Sequence, residues 1–322
     1  MRGFMVMRCV LKHHVCLCVL STAVLAGLAL ITAQTKVYAQ SKNCNGIANR
    51  GASGEPGSGS DSDKGRIECD GSGKYERGKK INTLSGNRTI DMDTDPSNPA
   101  VKVHKGADIT INSKLTVTDS KSNTGPAIQV DKQGKLTLAG EVSITGVHKG
   151  IVADGQGSSV TVLKGSIGVR AGGGYVIGVK DGGKVTLVDG VTVSGGGNNT
   201  GIEVGGTGGT VTLMGTRFSN VKTGIKIMGT GKATTVRGGG ATISLVNGNS
   251  TGVIMQGTRG ANATVMELNI KGSGGTTTGA EVTDGTLELN KVNISQVQMG
   301  ARVSNGKLTV MGGGIQASGT GG

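Results

Sequence analysis

A four-residue pattern of one small residue, one apolar residue, any residue and a second apolar residue recurs along most of the chain. The eight intervals between its first occurrence at residue 100 and its ninth at residue 300 average 25 residues. A recurrence of this regularity indicates an internal structural repeat. The nine occurrences begin at Ala100, Ala127, Gly150, Val176, Gly201, Gly224, Gly252, Gly279 and Gly300.

Each repeat also holds two further triplets in which apolar residues alternate with polar ones, such as Ile109–Ile111 and Leu115–Val117. Three short strands of period two, separated by Gly, Asn and Asp turns, are typical of a β-solenoid in which like positions stack between coils. The pattern therefore predicts an all-β, right-handed parallel β-helix of about nine three-strand coils over residues 99–322. At about 4.8 Å per coil, its axis would be roughly 40 Å long.

Composition agrees with this fold. The chain has 61 Gly and only 4 Pro, the last of them Pro126, so every later residue keeps its backbone N–H for a sheet. Helical repeats would need a stripe of period 3.6, and leucine-rich repeats would need a fixed ladder of Asn, and neither pattern occurs. Residues 40–98 are polar and lack sustained apolar periodicity, which predicts an N-terminal cap.

The first 39 residues contain no acidic residue and carry Arg2, Arg8 and Lys12 before an apolar run over residues 15–31. Small residues precede Gln40, so the segment predicts a signal peptide cleaved between Ala39 and Gln40. An uncleaved membrane anchor is the alternative, because the apolar run is at the short end of spanning length.

Cleavage there would leave Cys44 and Cys69 as the remaining cysteines. In an oxidising compartment they are expected to form a disulfide that stabilises the fold by roughly 3 kcal/mol, with two free thiols as the alternative. A metal site is not predicted, because His104 and His148 are the remaining histidines and neither has ligands at metal-binding spacing.

Net charge favours anionic partners. The chain carries +13, and removal of the four basic residues of the signal segment lowers this to +9. Sulfated glycans or an anionic membrane would suit such a surface, whereas the three aromatics after Ala39 are too few for nucleic-acid stacking. A basic cluster of possible glycan-binding residues, with a solvated charged cap as its alternative, comprises Lys74, Arg77, Lys79 and Lys80.

Catalysis is not predicted. Sugar-cleaving β-helices need carboxylates clustered on one outward face, but Glu203, Glu281 and Glu288 are separated among outward Thr, Ser, Asn and Lys. We therefore expect no catalytic residue, no metal and no cofactor.

The segment from Val10 to Gln40, with Lys12-His13-His14 before its apolar run, and the following Cys44 and Cys69 resemble the inducible autotransporters of Bartonella. The similarity is greatest to a proangiogenic member. In that family a signal peptide precedes a β-helical passenger and an outer-membrane barrel that exports it. The resemblance implies a virulence factor that passes the periplasm of a Gram-negative bacterium and is displayed or released at the cell surface. No segments typical of a barrel are apparent, so a C-terminally incomplete passenger is expected.

Three functions are therefore considered. The first, implied by the resemblance, is a secreted ligand of a host receptor on endothelial cells. This receptor is the one for vascular endothelial growth factor. The second is an adhesin for extracellular matrix or sulfated glycans, drawing on net charge. The third is a glycan-cleaving enzyme, which would require coil stacking to bring carboxylates together.

Overall fold

The computed structural model describes residues 41–43, 66–71, 75–76, 79–80, 83–92, 98–188, 190–230 and 234–318. In these ranges the chain forms 31 β-strands, numbered here in chain order, and no α-helix. Accordingly, these ranges hold no helix with the length and apolar character needed to cross a membrane.

Most strands stack in parallel in three columns, called here faces 1, 2 and 3. Face 1 contains β2 (Arg66–Cys69), β7 (Val101–Val103), β10 (Pro126–Asp131), β13 (Lys149–Asp154), β16 (Tyr175–Lys180), β19 (Thr200–Gly206), β22 (Thr223–Gly229), β25 (Ser250–Gln256), β28 (Thr277–Asp284) and β30 (Met299–Val303). The chain thus makes about nine turns from β2 to β30. This confirms the predicted all-β parallel β-solenoid.

Faces 2 and 3 belong to one hydrogen-bonded sheet, because two long strands pass through both: β29 (Thr286–Val297) and β31 (Lys307–Ala317). The other strands of face 2 are β5 (Thr83–Leu84), β8 (Asp108–Ile111), β11 (Lys135–Leu138), β14 (Ser159–Val162), β17 (Lys184–Leu187), β20 (Thr210–Leu213), β23 (Thr234–Arg237) and β26 (Asn262–Met266). Those of face 3 are β6 (Arg88–Asp91), β9 (Leu115–Thr118), β12 (Val142–Val147), β15 (Gly165–Val169), β18 (Thr192–Ser194), β21 (Arg217–Val221), β24 (Thr242–Leu245) and β27 (Asn269–Lys271).

Three short strands precede or interrupt the first coil. They are β1 (Ser41–Asn43), β3 (Tyr75–Glu76) and β4 (Lys79–Lys80). The last two pair as an antiparallel hairpin, with Tyr75 opposite Lys80.

The core is a set of apolar columns that run along the solenoid. The first apolar position of the repeat stacks on its equivalent in the next coil, and all members of this column from β7 to β28 are buried. Like β-branched side chains fit such a pleated, stacked surface well. The column contains Val101, Ile128, Ile151, Ile177, Ile202, Ile225, Val253 and Ala280.

The small residue that opens most of the repeats has a steric cause. A Cβ atom at Gly224 would lie 2.5 Å from the carbonyl oxygen of Gly252, and one at Gly252 would lie 2.4 Å from that of Gly279. The backbone of the next coil therefore occupies the space that a side chain would need. The preference for small residues, seen first as a sequence pattern, is a consequence of coil spacing.

The coils begin before Pro99, inside the segment predicted as a cap. Strands β2, β5 and β6 pair in parallel with β7, β8 and β9 of the following coil. Ile67 and Cys69 point inward beneath Val101 and Val103, and both are buried. This first coil is not apparent in the repeat pattern because Arg66 occupies the position where later coils have a small residue.

Inward residues of the last described coil are open to solvent. Val303 stacks on Val282, yet Val303 is 47% exposed while Val282 is fully buried. Among the described residues no later strand stacks on β30, so the apolar column ends there. Val282 and Val303 are thus equivalent positions of the repeat that differ mainly in how much of the side chain is exposed.

Replacing Val204 with Asp is expected to lower the free energy of unfolding by at least about 3 kcal/mol, since an unpaired carboxylate would enter the core. Ile128→Asp should act in the same way, because both residues are fully buried. Thermal melting followed by circular dichroism measures the effect.

Val303→Asp is the matched control and should change the melting temperature much less, because this side chain already contacts water. Melting of Val204→Asp at the temperature of the parent would contradict the inward column.

Candidate functional site

Face 1 carries the most varied outward chemistry of the solenoid. By contrast, the outward row at the centre of face 2 is uniform over six successive coils, because Thr83, Thr110, Thr137, Thr161, Thr186 and Thr212 stack on one another before Arg237 takes the next position. A uniform row stabilises the sheet through like pairs. It offers little with which to discriminate between ligands. Face 1 is therefore better suited than face 2 to selective recognition.

Tyr175 begins β16 and lies flat on the outside of face 1. A Cβ atom at Gly178 would lie 2.3 Å from the Tyr175 ring, so the ring occupies the space left by this glycine. The chain bends just after Tyr175, and both Val176 and Ile177 point into the core. Although Tyr175 is on the outer surface, it is only 7% exposed. It is thus an anchored aromatic side chain rather than a free one.

Charged residues from four coils surround this ring. Lys149 places Nζ 5.7 Å from the ring centroid, within the range of a cation–π contact. Glu203 is the register partner of Gly178, and Lys226 is the partner of Glu203 in the following coil. Asp154 stacks beside Lys180 in the next row. We call Lys149, Asp154, Tyr175, Lys180, Glu203 and Lys226 the face 1 cluster.

Burial is the main influence on the pKa values of Tyr175, Glu203 and Asp154. It raises the pKa of Tyr175 to about 12, with smaller contributions from the negative charges of Glu203 and Asp154. The pKa of Glu203 is also raised, first by burial, although Lys226, Lys180 and Lys149 act in the opposite direction. The charges of residues on neighbouring coils therefore influence the pKa values of Tyr175 and Glu203.

Like charges add to the effect of burial at Asp154. Its pKa is raised by burial first, then by Asp181 and Asp131, while Lys180 lowers it. Asp131 is the register partner of Asp154, so the two carboxylates are direct neighbours on successive coils. Coil stacking thus gathers carboxylates that are far apart along the chain.

The cluster offers several charged groups to a ligand. None of its lysines forms a direct ion pair with a carboxylate among the described residues. Likewise, the described ranges contain no group of three His, Cys, Asp or Glu side chains placed to hold a metal ion. The arrangement suits recognition of a partner that itself carries both charges.

Most residues of the sites predicted from the sequence lie outside the described ranges. Cys69 is buried and disulfide-bonded, and its partner is not among the described residues. Lys79 and Lys80 form β4, but their side chains lie outside the described part of the chain. Entirely outside it are Ala39, Gln40, Cys44, Lys74 and Arg77. The predicted disulfide pair, cleavage site and glycan-binding cluster therefore remain predictions.

The face 1 cluster contains residues that the sequence alone did not indicate. Glu203 and Glu281, taken as separated, each face a cation in the next coil, Lys226 and Arg302 respectively. Aligning the repeats on their small residue would have placed these charges side by side. The position of the Tyr175 ring had no comparable signal, because it depends on the absence of a side chain at Gly178.

Comparison of the chain with protein-family models, with curated proteins and with solved structures found no match. The class of protein is therefore defined by its fold and surface alone: a parallel β-solenoid with a mixed-charge cluster on one face.

Ionisation of Tyr175 is expected to oppose folding at alkaline pH. A tyrosine in the unfolded chain has a pKa of about 10, and the folded chain raises that of Tyr175 to about 12, so the folded state binds this proton more tightly. The resulting stability is complete below about pH 10 and is lost as the pH rises towards 12. Between about pH 9 and about pH 11, the parent should therefore lose on the order of 1 kcal/mol more than Tyr175→Phe.

Urea unfolding at the two pH values measures this difference, and Tyr75→Phe is the control that keeps the Tyr175 phenol. If Tyr175→Phe loses as much stability as the parent, ionisation of this phenol is not coupled to folding.

Proposed function

We propose that this chain is a secreted recognition protein of the autotransporter-passenger type, and that it binds a host-cell receptor through the face 1 cluster. The supporting observation is the convergence of unpaired lysines and carboxylates around an anchored tyrosine on a stacked sheet. Because only 7% of Tyr175 is exposed, its ring serves to hold the Lys149 ammonium in place on the surface.

Rigidity of the scaffold favours this role. Lys149, Glu203 and Lys226 each project from a face 1 strand that is hydrogen-bonded to both of its neighbours. Backbone positions that are fixed before binding lose little conformational entropy when a partner arrives. Complementary charges on the partner would also increase the rate of encounter.

The partner is suggested by the resemblance to the inducible autotransporters of Bartonella. On that basis we propose a virulence factor delivered through the periplasm to the bacterial surface or medium, without enzymatic activity. Its proposed target is the endothelial receptor for vascular endothelial growth factor, and its proposed effect is proangiogenic signalling.

A second candidate is an adhesin for matrix or acidic glycans. Residues 204–266 contain no Asp or Glu, but they include Arg217, Lys222, Lys226, Arg237 and Arg259. This excess of positive charge favours anionic ligands. Binding of this kind would weaken with increasing salt.

Addition of the purified chain to endothelial cells should cause dose-dependent receptor phosphorylation, and a heat-unfolded sample should not. Lys226→Ala and Lys149→Ala should each reduce affinity for the purified receptor ectodomain about tenfold, because each removes a cation from the contact surface. Surface plasmon resonance measures this affinity.

Lys184→Ala is the matched control, because Lys184 is an exposed lysine on face 2 and its loss changes the net charge equally. Absence of phosphorylation with a folded sample would reject the receptor and favour the adhesive candidate. Equal affinity of all three variants would reject the face 1 cluster as the contact surface.

A further inference from the structure

A polar cleft lies at the corner where face 3 turns into face 1. It has a volume of about 460 Å³ and is lined by Gly197, Asn198, Asn220, Lys222, Val246, Asn247, Asn249 and Ser250. This volume is within the range of sites for small ligands. The lining residues come from three successive turns of the solenoid and are separate from the face 1 cluster.

Unequal turn lengths create the cleft. Between β21 and β22 the turn consists of Lys222 alone, whereas residues 195–199 form the turn before it and residues 246–249 the turn after it. The two longer turns therefore stand out as walls, and Asn220 and Lys222 form the floor between them. A recess is the geometric result of one short turn stacked between two longer ones.

Backbone hydrogen bonds fix these turns to one another. Gly197 N–H donates to the carbonyl oxygen of Asn220 at 3.0 Å, and Thr251 N–H donates to that of Lys222, also at 3.0 Å. The side-chain amide of Asn220 donates to the carbonyl of Gly195 at 2.8 Å. The cleft is therefore held in shape before any ligand binds, which lowers the entropic cost of binding.

Several polar groups in the cleft are available to a ligand. The side chains of Asn198, Lys222 and Asn247 are exposed and form no hydrogen bond or ion pair within the described part of the chain. Asn249 accepts a hydrogen bond from Thr276, which leaves its amide donors free. An amide both donates and accepts, while the lysine ammonium only donates and carries a charge.

We propose that this cleft binds an acidic oligosaccharide, a site that deepens the adhesive candidate function and rests on it. Sugar hydroxyls both donate and accept hydrogen bonds, as do the amides of Asn198 and Asn247. A carboxylate or sulfate on the sugar would pair with Lys222, and none of the described residues that line the cleft is acidic. Val246 offers the small apolar contact that a sugar ring can use.

Other ligands fit these groups less well. A bare inorganic anion accepts hydrogen bonds only, so it would use the amide N–H groups of Asn198 and Asn247 but not their oxygens. A neutral oligosaccharide would satisfy the amides but leave Lys222 without a counter-charge. The combination of dual-purpose amides with one cation is therefore specific for a ligand that has both hydroxyls and a negative charge.

Isothermal titration calorimetry of the full chain can test the site with four probes. Two are acidic tetrasaccharides, one a carboxylate-bearing uronic acid and the other a sulfated sugar, and they distinguish the two sources of negative charge. The other two are a neutral tetrasaccharide and inorganic sulfate. At least one acidic tetrasaccharide should bind about tenfold more tightly than the neutral sugar and inorganic sulfate, and its affinity should fall as salt is added.

Variants place that binding in the cleft. Lys222→Ala and Asn247→Ala should each weaken it about tenfold, whereas Lys184→Ala and Asn262→Ala, at exposed positions on face 2, should leave it unchanged. Melting temperatures equal to that of the parent would show that the variants fold.

Equal binding of inorganic sulfate and the acidic tetrasaccharides, or equal losses in Lys222→Ala and Lys184→Ala, would overturn the inference. So would the absence of acidic tetrasaccharide binding. If receptor phosphorylation persists in that case, the proposed receptor function stands while the glycan site fails. If the sugar binds but no receptor phosphorylation occurs, the glycan site stands and the proposed receptor function fails.

Discussion

Parallel backbone hydrogen bonds between successive coils set the positions of the side chains on the described strands of the solenoid. They hold each residue beside its equivalent one repeat away, so the inward columns consist mainly of apolar residues. The same spacing brings the backbone of the next coil so close to Gly224 and Gly252 that no side chain fits. Stability therefore comes from contacts between neighbouring coils, as expected for a quasi-one-dimensional fold.

The register that stabilises the core also arranges charge on the surface. Glu281 faces Arg302 in the next coil, a complementary pair, whereas Asp131 and Asp154 are like charges in direct register. Like charges in such positions are unfavourable, which is consistent with the raised pKa of Asp154. Like charges in register do not serve stability, so their presence on face 1 favours a role in recognition.

Longer-range contacts add to the coil ladder at the corner between faces 3 and 1. Arg170 forms an ion pair of 2.8 Å with Asp119, whose carboxylate has no exposed surface. Arg170 also donates to the carbonyl of Asn123 at 2.9 Å. Because an unpaired buried carboxylate is costly, this pair ties together turns that belong to different coils. The corner is thus fixed by side chains as well as by backbone.

The sequence predicts the periodic part of this structure and not its exceptions. Eight of the nine repeats open within a face 1 strand, and the first opens directly before one, because burial of alternating apolar residues leaves a regular pattern. The first coil was not predicted because Arg66 breaks the repeat pattern. The cleft was not predicted because it arises from differences in turn length. The Tyr175 ring likewise depends on a contact with Gly178 that no periodicity encodes.

The two proposed binding surfaces share a corner of the solenoid. Lys222 forms the turn that leads into β22, and Lys226 of the face 1 cluster lies on that same strand. Asn199, buried just before β19, donates to the carbonyls of Arg170 and Gly174 and so holds the turn that leads to Glu203. A change that disturbs the coil register would therefore affect both surfaces, whereas a surface substitution would affect one. If substitutions abolish receptor binding and sugar binding separately, the chain has two independent sites. If both are lost together, the substitution has disturbed the fold.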